Sequence, residues 1–487
     1  MILRMAGQES GTIALEGGPQ AAATASGRVP KRGPGSDCPI VVMRPGNAGG
    51  AKGAGYSDSN GSQPQGWEEL VSESKPFSIS KQVVYEAYLK VKANKGAAGV
   101  DGESVEEFEK DLKGNLYRIW NRMSSGSYFP PPVRAVEIPK PGGRGTRVLG
   151  VPTVADRIAQ TVVKMYLEPE VEPIFHPDSY GYRPGRSALD AVGTCRKRCW
   201  KMSWVIDLDV HKFFDTIPHS LVLRAVSKHT NLKWILLYTE RWLQAPLQLG
   251  DGTLQSRDQG SPQGSAVSPL LANLFMHYAF DMWMQREWSA VPFERYCDDV
   301  VVHCVSEQQA QYVLAAITKR LAEVGLEVNP EKTHIVYCRD GHRRGSYEPR
   351  QFNFLGYAFR ARLAKNRKTG ETFLSFLPAV SDEAGKAMRW QIRGWRLHMR
   401  SGHTLGEMAR EVNQVVRGWI NYYGRYYSSW LQFTLRRINE YLVRWALRKC
   451  KKLRRHPERA RRFLATVARR DPTLFVHWGH GAWPLAG

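Results

Sequence analysis

Two adjacent carboxylates interrupt a strand-forming run in Phe293-Glu294-Arg295-Tyr296-Cys297-Asp298-Asp299-Val300-Val301-Val302-His303-Cys304. Aromatic and β-branched residues on either side predict two strands, residues 293–297 and 300–304, around a two-residue turn at Asp298-Asp299. Adjacent aspartates at the tip of a hairpin offer oxygen ligands to a divalent metal ion. Because Asp-Asp is also an ordinary turn sequence, the hairpin alone leaves both interpretations open.

A second acidic strand favours the metal site. The segment Trp204-Val205-Ile206-Asp207-Leu208-Asp209 predicts a strand that ends in Asp209. If this strand lies beside the hairpin, Asp209 joins Asp298 and Asp299 as a third carboxylate. Three carboxylates so close together repel one another unless cations lie between them. The sequence therefore predicts a site for two Mg²⁺ ions about 4 Å apart, which is suited to phosphoryl transfer.

Helical patterns surround these strands. Ser268 and Pro269 are typical of the N-cap and the first position of a helix, and an apolar run continues the pattern through Phe280. After the hairpin, apolar residues from Val313 to Val324 at helical spacing predict another helix. The order strand, helices, hairpin, helix and strand indicates an α+β fold, with an antiparallel sheet that carries helices on one face.

The chain is strongly basic, with a net charge of +23 and a pI near 9.7, which indicates polyanionic partners. From Gly385 onward, 22 Lys and Arg residues stand against 5 Asp and Glu residues, so most of the excess is C-terminal.

No apolar run reaches the roughly 18 residues of a membrane span, so no membrane partner and a cytoplasmic location are expected. Because the cysteines lack CxxC spacing, Cys195 and Cys199 are predicted to pack rather than to bind metal.

Three motifs together resemble those of the reverse transcriptases. Tyr296-Cys297-Asp298-Asp299 is similar to their catalytic box, and Asp209-Val210-His211-Lys212-Phe213-Phe214-Asp215 is similar to the motif with their first carboxylate. Their nucleotide-contacting motif resembles residues 260–273, Gly-Ser-Pro-Gln-Gly-Ser-Ala-Val-Ser-Pro-Leu-Leu-Ala-Asn, which is the most specific signal in the chain. The resemblance implies an RNA-directed DNA polymerase with a right-hand architecture of fingers, a ferredoxin-like antiparallel palm and an all-helical thumb.

The resemblance also implies roles for individual residues. Lys140 and Arg147 correspond to fingers positions that grip the triphosphate of the incoming dNTP, and their charge and length suit that contact. Phe214 corresponds to an aromatic gate whose ring clashes with a ribonucleotide 2′ hydroxyl; packing in the core is the alternative. Gln263 corresponds to a residue that offers its amide to the nucleotide or template. Lys332 corresponds to a lysine that protonates pyrophosphate, with an ordinary surface lysine as the alternative.

Further motifs narrow the resemblance to group II intron enzymes. Residues 94–102, 179–186 and 354–357 resemble reverse transcriptases encoded by group II introns, and residues 418–423 and 474–478 resemble their maturase-specific region. Cys297 is a departure, since alanine is usual there. The chain is identified as a member of the bacterial type without a C-terminal HNH endonuclease domain. The implied partners are group II intron RNA, an RNA template with a DNA or RNA primer, dNTPs and a DNA target.

Such an enzyme copies RNA into cDNA and binds intron RNA to assist splicing and mobility. Two alternatives stay open: a domesticated reverse transcriptase in phage defence or DNA repair, and a splicing-only RNA-binding maturase.

Residues 448–455 form a basic run, and a plain solvated helix face usually carries compensating acids. The run predicts RNA contacts by Lys449, Lys451, Lys452, Arg454 and Arg455. The nearby rings of six residues are predicted either to stack on bases or to form the thumb core: Trp419, Tyr422, Tyr423, Tyr426, Tyr427 and Trp430.

Three regions follow from these observations. Residues 1–66 contain 14 glycines and few large apolar side chains, so a disordered N-terminal tail is predicted. Residues 67–359 contain the polymerase motifs and are predicted to form the fingers and palm. Residues 360–487 are predicted to form a basic helical thumb and maturase-specific RNA-binding domain.

Overall fold

The computed structural model describes residues 75–139, 146–343, 345–366 and 368–484, so the predicted tail at residues 1–66 lies outside it. The α-helices are Lys81–Asn94 (α1), Val105–Phe108 (α2), Leu112–Ser124 (α3), Val154–Val171 (α4), Ala188–Lys201 (α5), Phe213–Thr216 (α6), His219–Ser227 (α7), Lys233–Gln244 (α8), Ser268–Met276 (α9), Met282–Glu287 (α10), Glu307–Glu323 (α11), Asp382–Gly394 (α12), Leu405–Tyr423 (α13), Ser428–Lys449 (α14), Pro457–Arg470 (α15) and Val476–Gly479 (α16). The strands are Val133–Pro139 (β1), Thr146–Val151 (β2), Trp204–Leu208 (β3), Leu247–Gln248 (β4), Leu254–Gln255 (β5), Phe293–Tyr296 (β6), Asp299–Cys304 (β7), His334–Tyr337 (β8), Gln351–Phe354 (β9), Tyr357–Lys365 (β10) and Thr372–Val380 (β11).

Four antiparallel strands form the central sheet, in the order β6-β7-β3-β8. β3 pairs with β7 so that Leu208 lies opposite Val300, next to the turn of the hairpin. This pairing confirms the prediction that the acidic strand lies beside the hairpin. The helix predicted after the hairpin is also present as α11, and Gly325 follows it with a φ of 77°, as a glycine that ends a helix commonly does.

Helices cover both faces of the central sheet, so the prediction of helices on one face is wrong. Ile206 and Val302 point into a core shared with α11. Their neighbours Val205 and Val301 point into a second core, shared with α5 and with the C-terminal helices. The uninterrupted run Val300-Val301-Val302 is typical of a strand that is buried on both sides. The fold remains α+β, with the sheet as a partition between two cores.

A second antiparallel sheet, β9-β10-β11, leads from the central sheet into the C-terminal helices. Leu355 and Gly356 join β9 to β10 with φ angles of 50° and 78°, as the type I′ turn of a two-residue hairpin requires. β11 pairs with β10 along its whole length and continues to Val380. Within the predicted C-terminal region, residues 360–487, the helices therefore begin at Asp382, because residues 360–380 lie in β10, β11 and the turn between them.

The aromatic residues of the helical region fill its core. Trp419, Tyr422, Tyr423 and Tyr426 are buried, so these four rings do not form a surface for base stacking, whereas Tyr427 and Trp430 are partly exposed. The hydroxyl of Tyr422 donates to the carbonyl of Leu355 at 2.7 Å, which fastens α13 to the second sheet. Among the described helices, none combines the length and the apolar character that a membrane-spanning segment requires.

The N-terminal part of the described chain is a third sheet packed beside helices. Its order is β2-β1-β4-β5, with β1 and β2 antiparallel from Arg134 opposite Val151 to Pro139 opposite Thr146. α1, α3 and α4 pack together beside this sheet and share the core of the first face of the central sheet. The arrangement places the end of β2 against the loop that precedes α9, where Gly150 donates its N–H to the carbonyl of Gln263 at 2.9 Å.

Candidate active site

The carboxylate hairpin turns one residue earlier than predicted. β6 ends at Tyr296 and β7 begins at Asp299, and these two residues pair with each other in the ladder. The turn residues are therefore Cys297 and Asp298, and the predicted turn at Asp298-Asp299 is wrong by one position. Cys297 has a φ of 63°, the sign that the first central residue of a primed hairpin turn requires. Asp298 lies at the tip, with Asp299 directly after it on the strand.

The loop before β8 holds Asp209 in place beside the hairpin. The N–H of Asn329 donates to the carbonyl of Asp209 at 2.8 Å, and the N–H of Asp209 donates to Oγ1 of Thr333 at 3.2 Å. Lys332 belongs to the same loop, and its Nζ lies 3.3 Å from Oδ2 of Asp209. The structure thus brings together two residues that the sequence predicted for the site, Asp209 and Lys332.

The carboxylates of the site interact through their charges. Burial raises the pKa of Asp299 well above its ordinary value, and the negative charges of Asp298, Asp207 and Asp209 raise it further. Burial also raises the pKa of Asp298. The Oδ1 atom of Asp298 is buried and receives no hydrogen bond from the described residues. An unpartnered carboxylate oxygen among like charges is what a hard divalent cation stabilises, so these residues fit a metal site.

Sequence reasoning missed Asp207 as a member of this group. It lies two residues before Asp209, and alternate residues of a strand share one face. Burial, followed by the charge of Asp209, raises the pKa of Asp207 to about 7. The alternating Asp-Leu-Asp pattern at the end of β3 is the signal that could have identified it. Asp207 adds a fourth carboxyl group behind the predicted three.

Arg295 ties the hairpin to two other predicted motifs. Its guanidinium is fully buried and donates to both carboxylate oxygens of Asp281, at 2.6 and 2.7 Å. It also donates to Oγ of Ser179 at 2.8 Å, to Oδ1 of Asn273 at 3.0 Å and to the carbonyl of Cys297 at 3.1 Å. One buried arginine therefore supports the turn that carries Asp298. A charged residue inside a strand-forming run is the signal that sequence reasoning passed over.

The loop before α9 packs against the segment that carries Phe214. The N–H of Ser261 donates to the carbonyl of Phe214 at 2.7 Å. A side chain at Gly260, where φ is 81°, would collide with the same carbonyl at 2.8 Å, so the close approach requires glycine. Ser268 is the first residue of α9 rather than its N-cap, which is Val267, and the prediction for Ser268 is wrong. Its hydroxyl instead accepts a hydrogen bond from Ser261 at 2.6 Å.

Three of the four predicted nucleotide-binding residues lie in connected segments. Nε of Arg147 on β2 donates to Oε1 of Gln263, and the loop of Gln263 contacts Phe214 as described above. Phe214 itself is buried, with 7% of its surface exposed. Lys140 lies outside the described residues.

The predicted RNA-binding run belongs to the helical region. Lys449 is engaged with protein, since its Nζ donates to the carbonyl of His403 at 2.7 Å. The other four side chains are exposed in the short turn that follows α14: Lys451, Lys452, Arg454 and Arg455. Sequence reasoning missed a neighbouring group of exposed arginines on α15, which its repeated Arg-Arg pairs could have revealed: Arg459, Arg461, Arg462, Arg469 and Arg470.

A second cluster of buried polar groups lies behind the central sheet. Potential ligand atoms of Cys195, Glu294 and His303 lie within 4.8 Å of one another. Both carboxylate oxygens of Glu294 already accept hydrogen bonds, from Arg198 at 2.5 Å and from Nε2 of His303 at 2.7 Å. Burial lowers the pKa of His303, but the charge of Glu294 outweighs this effect and raises it to about 10. The cluster is therefore an ion-pair network, which agrees with a packing role for Cys195.

Comparison with known protein families assigns most of these motifs to two domains. Residues 138–359 match the family described as reverse transcriptase (RNA-dependent DNA polymerase). Residues 385–463 match the group II intron, maturase-specific domain. The first match contains the four strands of the central sheet, and the second lies within the C-terminal helices.

Individual relatives point to the same family. Protein YkfC of Escherichia coli (strain K12) is 29% identical over a match 350 residues long that covers 62% of this chain and 87% of that protein. The group II intron-encoded protein LtrA of Lactococcus lactis subsp. cremoris is 30% identical over 214 residues, 43% of this chain and 35% of LtrA. The putative COX1/OXI3 intron 2 protein of Saccharomyces cerevisiae is 25% identical over 336 residues, 56% of this chain and 37% of that protein. The chain thus spans most of YkfC but only about a third of the two intron proteins. The chain thus carries a reverse transcriptase domain, the domain of RNA-dependent DNA polymerases, followed by a group II intron maturase-specific domain, and so resembles the group II intron-encoded reverse transcriptases.

Proposed function

We propose that this protein copies RNA into cDNA by adding deoxynucleotides to the 3′ end of a DNA or RNA primer. The observation that carries the proposal is the convergence of Asp209, Asp298 and Asp299 at one end of the central sheet, where the charges of Asp298 and Asp209 add to burial in raising the pKa of Asp299. We propose that these carboxylates hold two Mg²⁺ ions. When bound, the ions would supply Lewis acidity at the attacking and leaving oxygens of the transferred phosphoryl group.

The neighbouring side chains suit the remaining tasks of such a site. Arg147, which reaches Gln263, offers a fixed positive charge to a triphosphate, and the Gln263 amide offers a donor and an acceptor to the nucleotide or template. Lys332 lies against Asp209 and can deliver a proton to pyrophosphate as it leaves. Lys140 is proposed as a second triphosphate contact on sequence grounds alone.

Phe214 is proposed as the residue that excludes ribonucleotides. Replacement of its ring by valine is expected to lower the preference for dCTP over CTP by at least about tenfold, because the steric conflict with the 2′ hydroxyl is relieved. Phe213→Val is the matched control: the same substitution at the adjacent buried phenylalanine, 5.3 Å away between ring centroids, is expected to keep the preference. Single-nucleotide incorporation with each substrate measures the ratio. An unchanged ratio for Phe214→Val would identify Phe214 as a core residue only.

We further propose that the region from Asp382 onward is the thumb and maturase domain, which binds intron RNA and assists splicing and mobility at a DNA target. Residues from 67 to the end of the second sheet would form the fingers and palm. The exposed basic side chains after α14 and on α15 support this division, since sequence-independent RNA affinity comes mainly from phosphate contacts. The protein is proposed to work in the cytoplasm.

Neutralising the four exposed residues Lys451, Lys452, Arg454 and Arg455 is expected to weaken RNA binding without a comparable loss of turnover. For single-stranded RNA each lost phosphate contact lowers the slope of log affinity against log salt by about 0.7, so the slope should fall by up to about 2.8. RNA binding across a salt series, beside primer extension at saturating substrate, separates the two effects. An equal charge change at scattered exposed lysines is the control and is expected to alter the slope far less: Lys90, Lys110, Lys233 and Lys319. If both variants shift the slope equally, the RNA surface lies elsewhere.

A further inference from the structure

A buried chain of hydrogen bonds connects helix α4 with the loop of Gln263. Oε1 of Gln160 accepts two hydrogen bonds from this loop, from the hydroxyl of Ser265 at 2.8 Å and from the N–H of Ala266 at 2.9 Å. Gln160 is only 1% exposed. Because the Gln263 carbonyl is already held by Gly150 of β2, Gln160 fixes the other side of the same turn.

Asp156 determines which way the Gln160 amide faces. It lies one helical turn earlier on α4, and its Oδ2 accepts from Nε2 of Gln160 at 2.9 Å. If the amide were reversed, its oxygen would face the carboxylate and its NH₂ group would face two donors of the loop. The carboxylate thus enforces the one orientation in which Oε1 can receive Ser265 and Ala266.

Asp156 is itself held from two other elements. Its Oδ1 accepts from the hydroxyl of Tyr128, before β1, at 3.0 Å and from Nε1 of Trp242 on α8 at 2.7 Å. Its backbone N–H donates to Oγ1 of Thr153, the N-cap of α4, at 3.1 Å. A buried carboxylate is costly unless donors satisfy it, and here three side-chain donors do so. These contacts fix the position of the Asp156 carboxylate, and the carboxylate in turn fixes the orientation of the Gln160 amide.

We propose that Asp156 and Gln160 are positioning residues that set the conformation of the Gln263 loop and thereby the affinity for the incoming dNTP. Neither touches the site of reaction, and their effect passes through the hydroxyl of Ser265 and the backbone N–H of Ala266. The inference rests on the proposed polymerase function. It goes beyond that function in one respect: the orientation of the buried Gln160 amide in α4 controls nucleotide binding.

Gln160→Met tests the proposal, because methionine keeps the volume but offers no acceptor to the loop. We expect the KM for the dNTP to rise about tenfold while kcat changes much less, since the loop is loosened but the carboxylates are untouched. Thr161→Val is the matched control: it removes a buried hydroxyl of the same helix, which donates only to the carbonyl of Arg157 at 2.7 Å. The control is expected to keep the wild-type KM. Ser265→Ala removes one of the two loop contacts and is expected to give a smaller rise.

A charge exchange distinguishes positioning from general destabilisation. Gln160→Glu alone places two carboxylates against each other and is expected to raise KM. In the double variant Asp156→Asn with Gln160→Glu, the asparagine amide introduced at position 156 can donate to the glutamate, whose other oxygen still receives Ser265 and Ala266. Every hydrogen bond of the chain is then restored, and KM is expected to return to within about twofold of wild type.

The outcomes separate the two proposals. If the wild-type protein extends no primer, the proposed function fails. If it does so but Gln160→Met and Gln160→Glu both keep the wild-type KM, or if the double variant is no better than Gln160→Glu, the positioning inference is overturned. If Gln160→Met does not fold, Ser265→Ala and the double variant still test the positioning inference, because both keep an acceptor oxygen at position 160.

Discussion

Replacing Asp298 with asparagine is expected to abolish Mg²⁺-dependent cDNA synthesis while leaving RNA binding nearly unchanged. The substitution keeps the size of the side chain at the hairpin tip but removes the charge whose buried Oδ1 has no partner among the described residues. A loss of about 4 kcal/mol of transition-state stabilisation corresponds to a fall of roughly a thousandfold in rate. Primer extension over a range of Mg²⁺ concentrations, together with an RNA binding curve, measures both properties.

Asp251→Asn provides the control for this experiment. Asp251 is exposed in the turn between β4 and β5, where its carboxylate accepts the N–H of Thr253 at 2.9 Å. It carries the same charge as Asp298 but lies on a separate sheet, so its loss should change neither activity nor affinity. Substantial extension by purified Asp298→Asn at any Mg²⁺ concentration would show that the metal assignment is wrong.

The second large effect is expected from Arg295→Met. Removal of one partner from a buried ion pair typically costs about 3–5 kcal/mol, because the other charge is left without compensation. Asp281 would be that stranded charge, since both its oxygens receive Arg295. Chemical denaturation is expected to show a loss of stability of this size. The control Arg286→Met breaks an exposed pair with Glu287 and should cost less than about 1 kcal/mol.

A double variant separates stability from catalysis at this position. Asp281→Leu with Arg295→Met removes both charges, and such replacements are often neutral or stabilising. The double variant is therefore expected to recover most of the stability lost by Arg295→Met. Primer extension should stay impaired, because the Cys297 carbonyl and the Asn273 amide lose their donor. Full recovery of activity would mean that Arg295 does not support the catalytic turn.

The grouping of Asp209, Asp298 and Asp299 at one end of the central sheet could be predicted from the sequence. Carboxylates and cationic groups carry their chemistry in their side chains, and a glycine-rich loop is recognised by its glycines, so motifs locate all three before any fold is known. The central sheet and α11 were predictable for a related reason, because period-two and helical patterns are local. The predicted turn at Asp298-Asp299 was off by one, since register depends on pairing with the opposite strand rather than on the turn residues alone.

The contacts that hold the site in place could not be predicted. Arg295 contacts Asp281 and Ser179, which are not its neighbours in the sequence, so no local sequence pattern predicts these contacts. Gln160 contacts a loop more than a hundred residues away. The strands at residues 360–380 were not predicted, because this stretch of β10 and β11 carries few of the β-branched and aromatic residues that favour strands.

The central sheet is buried on both faces, so the C-terminal helices cannot be removed without exposing part of one face. The C-terminal helices are not an appendage, because they contribute side chains to the core into which Val205 and Val301 point. Without those helices, part of one face of a sheet that is apolar on both sides would meet water, and such surfaces associate with one another. The helices of the maturase-specific match are therefore part of the hydrophobic core of the polymerase. A shortened chain without these helices would therefore lose part of the core of the polymerase, and not only an RNA-binding region.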